Sequence, residues 1–91
     1  MGTKTVKFNR ESIATLPDNK PVEYEILNRR GNANYIGKAK RGNVRDEIGS
    51  YLGKIPGAEV KIRQYPTVRE AERAEVNAIK HKQPPYNKRG K

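Results

Sequence analysis

Asn34-Tyr35-Ile36-Gly37-Lys38-Ala39-Lys40 joins a short apolar run to a glycine and then to a basic stretch that continues to Arg45. A glycine inside a strand pattern packs nothing itself and marks a bulge or the close approach of another backbone or a ligand. With Lys38, Lys40 and Arg41 beside Gly37, the expected ligand is an anion. Upstream, Pro21 to Leu27 alternates, with Val22, Tyr24 and Ile26 on one face and Glu23 and Glu25 on the other, as a strand does. Asn28-Arg29-Arg30-Gly31-Asn32 carries hairpin-loop residues, and Ala33 to Ala39 forms the returning strand. A loop centred between Arg29 and Arg30 sets Tyr24 directly opposite Tyr35.

Residues 1 to 8 are polar and basic, and read as a loose or edge-pairing segment. Asn9 is placed to cap a short helix through Leu16, which Pro17 stops before Asp18-Asn19 turns the chain. Asn43 and Asp46 resemble a capping box, followed by Val44, Ile48, Tyr51 and Leu52 at helical spacing until Gly53. Pro56-Gly57 is a turn, and Ala58 to Tyr65 alternates as a third strand with Val60 and Ile62 facing inward. Thr67-Val68-Arg69-Glu70 is a capping box that opens a helix to about Lys82, before Pro84-Pro85. The reading is a single α+β domain with a three-stranded antiparallel sheet flanked by helices. It divides into an extension over 1–20, a core over 21–87 and a basic tail over 88–91.

At 91 residues there is room for one core. Lys and Arg outnumber Asp and Glu by 20 to 10, an excess that favours a polyanionic partner, most simply nucleic acid. A membrane is not the expected partner, because no segment pairs a basic face with a Trp/Phe/Leu-rich one. The lack of cysteine excludes disulfides, thiolate zinc sites and cysteine nucleophiles. With no signal peptide or transmembrane run visible, the expected location is the cytoplasm.

The oddest placement is Glu75, whose helical neighbours include Ala71, Ala78 and Ile79. A carboxylate on that stripe needs a partner: an arginine, a metal ion or a proton. Magnesium fits, because it is held by one or two carboxylates while water and substrate phosphate complete its shell; a boundary glutamate paired with a lysine or arginine is the plainer reading. Strand tyrosines ordinarily pack, but Tyr24 and Tyr35 beside Gly37 and a lysine-rich edge could act as bases if those cations lower a phenol's pKa. Arg45, at a helix start after the basic loop, would clamp charge on a phosphate. His81 lies within Lys80-His81-Lys82 and reads as a solvated basic face. The glycines match neither Walker nor Rossmann spacings.

Tyr24, then Tyr35-Ile36-Gly37, Arg45, Glu75 and Asn87, in that order and spacing, resemble the GIY-YIG endonuclease superfamily. The segment Glu75 to Asn87 is similar to the end of that domain in bacterial excision-repair nucleases. The resemblance covers Pro21 to Asn87 and implies a DNA endonuclease dependent on Mg2+ or Mn2+. Tyr24 and Tyr35 match the family tyrosines, one of which takes the attacking water's proton. Arg45 matches the arginine that stabilises phosphate charge, Glu75 the metal-binding carboxylate, Asn87 a supporting asparagine and Lys38 a lysine after the glycine. Lys38, Lys40, Arg41, Lys80, Lys82, Asn87, Lys88 and Arg89 are the expected nucleic-acid contacts.

Two departures stand out. Val22-Glu23-Tyr24 replaces Gly-Ile-Tyr, and Gly49 stands where many relatives carry a site tyrosine or histidine. Tyr51, over half a helical turn from Gly49, is not assigned that role. The competing reading is a non-catalytic basic module that binds nucleic acid on the same fold. A further alternative is a nuclease unit that depends on a separate partner for targeting, since no helix-turn-helix or zinc finger fits beside the core.

Overall fold

The structure is a computed structural model that describes residues 2–87. Lys88 and Arg89, two of the expected nucleic-acid contacts, lie outside the described residues. The elements run β1 (Thr3–Lys7), α1 (Arg10–Ile13), β2 (Val22–Leu27), β3 (Ala33–Ala39), α2 (Val44–Gly49), β4 (Glu59–Gln64) and α3 (Val68–Lys82), closing on a 3-10 turn, Pro85–Asn87. They form one antiparallel sheet in the order β1-β4-β2-β3. The sheet therefore has four strands rather than the expected three. The N-terminal segment adds the extra one, pairing Thr3 to Lys7 with Arg63 to Glu59 along the free edge of β4.

Strand β2 is buried along its whole length, because both faces are covered. On one face Val22, Tyr24 and Ile26 join Leu16, Val44, Ile48, Val60 and Ile62 in the core beneath α1 and α2. The other face, with Glu23 and Glu25, lies under α3, which packs on β2 and β3.

Local hydrogen bonds set the helix starts. Asn9 Oδ1 accepts from the Ser12 amide at 2.8 Å, and Thr67 Oγ1 accepts from the Glu70 amide at 3.2 Å, as expected of N-caps. Asn43 makes no such bond. Asp18 takes its place from the turn before β2, its Oδ1 accepting from the Val44 amide at 2.8 Å and its carbonyl from the Gly42 amide at 2.8 Å. A long-range cap thus ties α2 to the chain that enters the central strand. Helix α3 ends at Lys82, where Gln83 turns left-handed at φ 46° ahead of the prolines.

The hairpin register differs from the expected one by two residues. Asn28 Oδ1 accepts from the Arg30 and Asn32 amides, Gly31 takes φ +87°, and the pairing shifts between Ile26 and Leu27. In consequence Tyr24 faces Gly37, and Tyr35 faces Ile26.

Candidate active site

Register and glycine chemistry together position the first phenol. The Tyr24 ring lies across the backbone of Gly37, where a Cβ would come within 2.5 Å of its hydroxyl and 2.6 Å of Cζ. The group approaching Gly37 is thus a side chain of the protein itself, not the anion that the sequence suggested. Tyr24 is fully buried, and its hydroxyl donates to Glu47 Oε2 at 3.1 Å.

Tyr35 is a diagonal neighbour of Tyr24 on the same face, with ring centroids 6.2 Å apart. It is only half-buried, and its hydroxyl is 3.0 Å from that of Tyr51, whose ring centre is 4.8 Å away. Tyr51 arrives there because α2 tightens at its end, with i→i−3 bonds from Tyr51 to Ile48 and from Leu52 to Gly49. Sequence reasoning set Tyr51 aside by measuring from Gly49. The informative signals were its place in the apolar series with Ile48 and its spacing of one turn from Glu47, another site residue that sequence reasoning missed.

Glu75 reaches this edge of the sheet from α3, with its side chain 19% exposed and Oε1 3.8 Å from Lys38 Nζ. Its charge is felt at Tyr35, so α3 and β3 converge where the sequence placed them. Asn87 secures the strand: its Oδ1 accepts from the Ile36 amide at 2.7 Å and its Nδ2 donates to the Ile36 carbonyl at 2.9 Å. These two bonds tie the Asn87 amide to β3 and leave one Nδ2–H outside them.

Arg45 is not brought to the phenols. Its Nε donates to the Leu16 carbonyl at 2.7 Å, and it lines a cleft with Arg10, Ala14 and Gly49 on the α1 side. Two residues along a helix is about 200° of rotation, so Glu47 occupies the phenol-facing side and Arg45 the other. Lys40, Arg41 and Lys80 are exposed, whereas Lys82 Nζ donates to Glu25 Oε1 at 2.9 Å.

The electrostatics reverse one expectation. Burial, then the Glu47 carboxylate, pushes the Tyr24 phenol above its usual range. Burial, the hydrogen bond and charge of Tyr51, and the charges of Glu47 and Glu75 do the same to Tyr35. Lysines were expected to lower a phenol here, but carboxylates from α2 and α3 are the nearer charges. Both tyrosines are thus neutral at ordinary pH.

Magnesium is a hard cation that takes as few as one protein carboxylate and keeps several waters. The donor set fits that pattern: Glu75 is a part-accessible carboxylate beside the phenols, and no group of three or more acidic, histidine or cysteine side chains forms a dedicated cage among the described residues.

A strand hairpin packed on a capped helix, with one phenol over a glycine, a second beside it and a carboxylate at the sheet edge, defines a small α+β domain with a candidate tyrosine-glutamate site. The fold matches the GIY-YIG N-terminal endonuclease domain of UvrC from Thermotoga maritima, described as bound to its catalytic divalent cation, magnesium. Sequence identity is 32%, with 86% of this chain and 93% of that one covered at a TM-score of 0.71. A point mutant of the same domain gives 31% identity, coverages of 88% and 94%, and a TM-score of 0.73. Among curated proteins, UvrABC system protein C of Bacteroides thetaiotaomicron is 35% identical over 92% of this chain. The chain spans only 15% of the length of that relative. No protein-family model matches the chain. On fold, site and identity together, the chain belongs to the GIY-YIG endonuclease family.

Proposed function

We propose that this chain is a divalent-cation-dependent endonuclease domain that hydrolyses DNA phosphodiester bonds to leave 5′-phosphate and 3′-hydroxyl ends. The observation that carries this reading is the meeting of the Tyr35 and Tyr51 hydroxyls, 3.0 Å apart, within reach of the Glu75 charge. Of the two family tyrosines, Tyr24 has its hydroxyl sealed between Gly37 and Glu47, which leaves the half-buried Tyr35 as the phenol that meets the attacking water.

A neutral phenol takes a proton most readily while giving one up. Tyr35 accepts the water's proton as its own passes to the Tyr51 oxygen, and half-buried Tyr51 returns one to solvent. Glu75 would hold the cation, Mg2+ or Mn2+, which would supply Lewis-acid stabilisation of phosphate charge. Lys38, Lys40, Arg41 and Lys80 add backbone affinity. Arg45, anchored through Nε, offers its remaining N–H groups to a phosphate on the α1 side. Target choice by a separate partner is part of this proposal, since no helix-turn-helix or zinc finger fits beside the core.

A second reading, a non-catalytic DNA-binding module, is favoured by one observation: α2 presents Glu47 rather than Arg45 to the phenols, adding negative charge where a phosphate would approach. Plasmid nicking with Mg2+ or Mn2+ separates the two. The nuclease reading expects nicking by the wild type and a loss of about 100-fold or more in Glu75→Ala. Tight DNA binding without nicking under either ion supports the binding module.

A further inference from the structure

Helix α2 has a different neighbour on each side. Glu47 meets the phenols on one, and on the other α2 packs beside α1 across a cleft of about 300 Å³. That volume is at the lower end of the range of about 300–1,000 Å³ usual for ligand sites. Arg10 and Ala14 border the cleft from the α1 side, and Arg45, Asp46 and Gly49 from α2.

Residue spacing explains why this space is open. Side chains four apart share one face of a helix, so Ala14 stands one turn beyond Arg10, and Gly49 one turn beyond Arg45. Each guanidinium is therefore followed by a residue too small to cover the ground beside it. A Cβ added at Gly49 would meet nothing within 4 Å, so that position opens the α1 side of α2.

Arg45 is fixed in place. Its Nε donates to the Leu16 carbonyl at 2.7 Å, a part-buried bond that ties α2 to the end of the α1 segment. The planar fork is thus oriented before any ligand arrives, which reduces the entropy that binding costs. Neither Arg10 nor Arg45 forms an ion pair among the described residues, although Asp46 borders the same cleft. Two cations against one carboxylate call for an anion. A carboxylate is planar and matches a single fork, whereas the oxygens of a phosphate diverge and can meet donors from both walls. A helix with its side chains is about 10–12 Å across, so a phosphate in this cleft is not the one that reaches the phenols.

We propose that Arg10 and Arg45 together clamp one non-scissile backbone phosphate of bound DNA in the cleft between α1 and α2. The proposal deepens the phosphate contact given to Arg45 above, and rests on DNA binding and not on cleavage.

The test measures binding of a labelled duplex of about 20 base pairs by fluorescence anisotropy across a salt series, in chelator so that no cleavage occurs. Arg10→Ala and Arg45→Ala should each weaken binding about tenfold, the low end for a hydrogen bond to a charged group. Because both residues hold one phosphate, the double variant should fall well short of the roughly 100-fold loss that independent sites would give. Its salt slope should drop by about 0.9, the value for a single phosphate. Gly49→Leu introduces a better helix former and leaves both arginines in place, so it should match the loss in Arg10→Ala without a lower melting temperature. Asp46→Asn should tighten binding. Losses that multiply, with a slope change of about 1.8, would show two separate solvated cations and overturn the proposal. So would wild-type affinity in Gly49→Leu, weaker binding in Asp46→Asn, or no binding of the duplex by wild type. Arg10→Ala and Gly49→Leu both keep the Leu16 bond, so the outcome does not depend on whether Arg45→Ala folds. The nuclease reading stands or falls separately on plasmid nicking.

Discussion

Tyr24 and Glu23 are consecutive residues of one strand, and both are buried, yet the protein treats their protons in opposite ways. On the phenol face, Tyr24 gives its hydrogen bond to Glu47, and the acidic groups around it come from α2. On the α3 face, burial, then the hydrogen bond and charge of Glu25, push Glu23 up to about 8, and its Oε2 is buried without a hydrogen-bond partner. The first arrangement is closed and fixes geometry, because a hydroxyl with a single proton has that proton committed. The second leaves an acceptor buried without a partner, which costs about 1–3 kcal/mol of desolvation. Alternation along a strand thus lets one short element hold a hydrogen-bonded phenol on one side and a buried pair of carboxyls on the other.

The largest stability effect expected on this comparison comes from Gly37→Ala. Its methyl would occupy the space of the Tyr24 hydroxyl, so overpacking of about 1–3 kcal/mol is expected. Thermal melting should fall by roughly 4–8 °C for each kcal/mol in a domain of this size. Unchanged melting would show that Tyr24 is free to move aside, and that the phenol face is not the rigid one.

The next effect concerns pH. Glu23 has its folded pKa raised to about 8 from the model-compound 4.5, so the folded state holds a proton that the unfolded state releases between those values. Its contribution is fully present below about 4.5 and is lost as pH rises through about 8. Glu25, held below its usual value, contributes in the opposite sense, with stability present above the unfolded carboxylate range and lost only in more acidic solution. Denaturant midpoints of wild type should therefore decline from pH 5 to pH 9, and Glu23→Gln, permanently uncharged, should flatten that decline. An equal decline in both proteins would locate the buried proton elsewhere.

The smallest effect expected is that of Thr67→Ala, which removes the α3 cap and should cost about 1 kcal/mol without altering either face's chemistry. A change in nicking rate beyond that due to stability would show that the start of α3 is coupled to Glu75.

Much of this arrangement can be read from sequence, and the misses share a cause. The alternation of Val22, Tyr24 and Ile26 against Glu23 and Glu25 marks both faces of β2, and the Thr67 cap and the length of α3 follow from local chemistry. Thr3 to Lys7 carries little periodic signal, because only Val6 is partly buried, and the strand exists through the free edge of β4. The hairpin register depends on the Asn28 side chain and on a shift beside Leu27, which composition does not encode. Asp18 caps α2 from 26 residues away, and so displaces the local reading of Asn43.

At the site, Tyr24, Tyr35 and Glu75 are candidates through the resemblance to the GIY-YIG family, and the fold brings the two rings within 6.2 Å and Glu75 to the same sheet edge. The exchange of Arg45 for Glu47 on the phenol side depends on the phase of a six-residue helix, where a two-residue difference turns a side chain to the opposite face.

The proposed mechanism gives the proton of the attacking water to Tyr35 and not to the sealed Tyr24. Single-turnover nicking at saturating Mg2+ by Tyr35→Phe and Tyr24→Phe tests it most directly. Tyr35→Phe should lose about 10²–10⁴-fold in rate with DNA affinity unchanged, as removal of a general base does, while Tyr24→Phe loses less. Cleavage by Tyr35→Phe at the wild-type rate would contradict it.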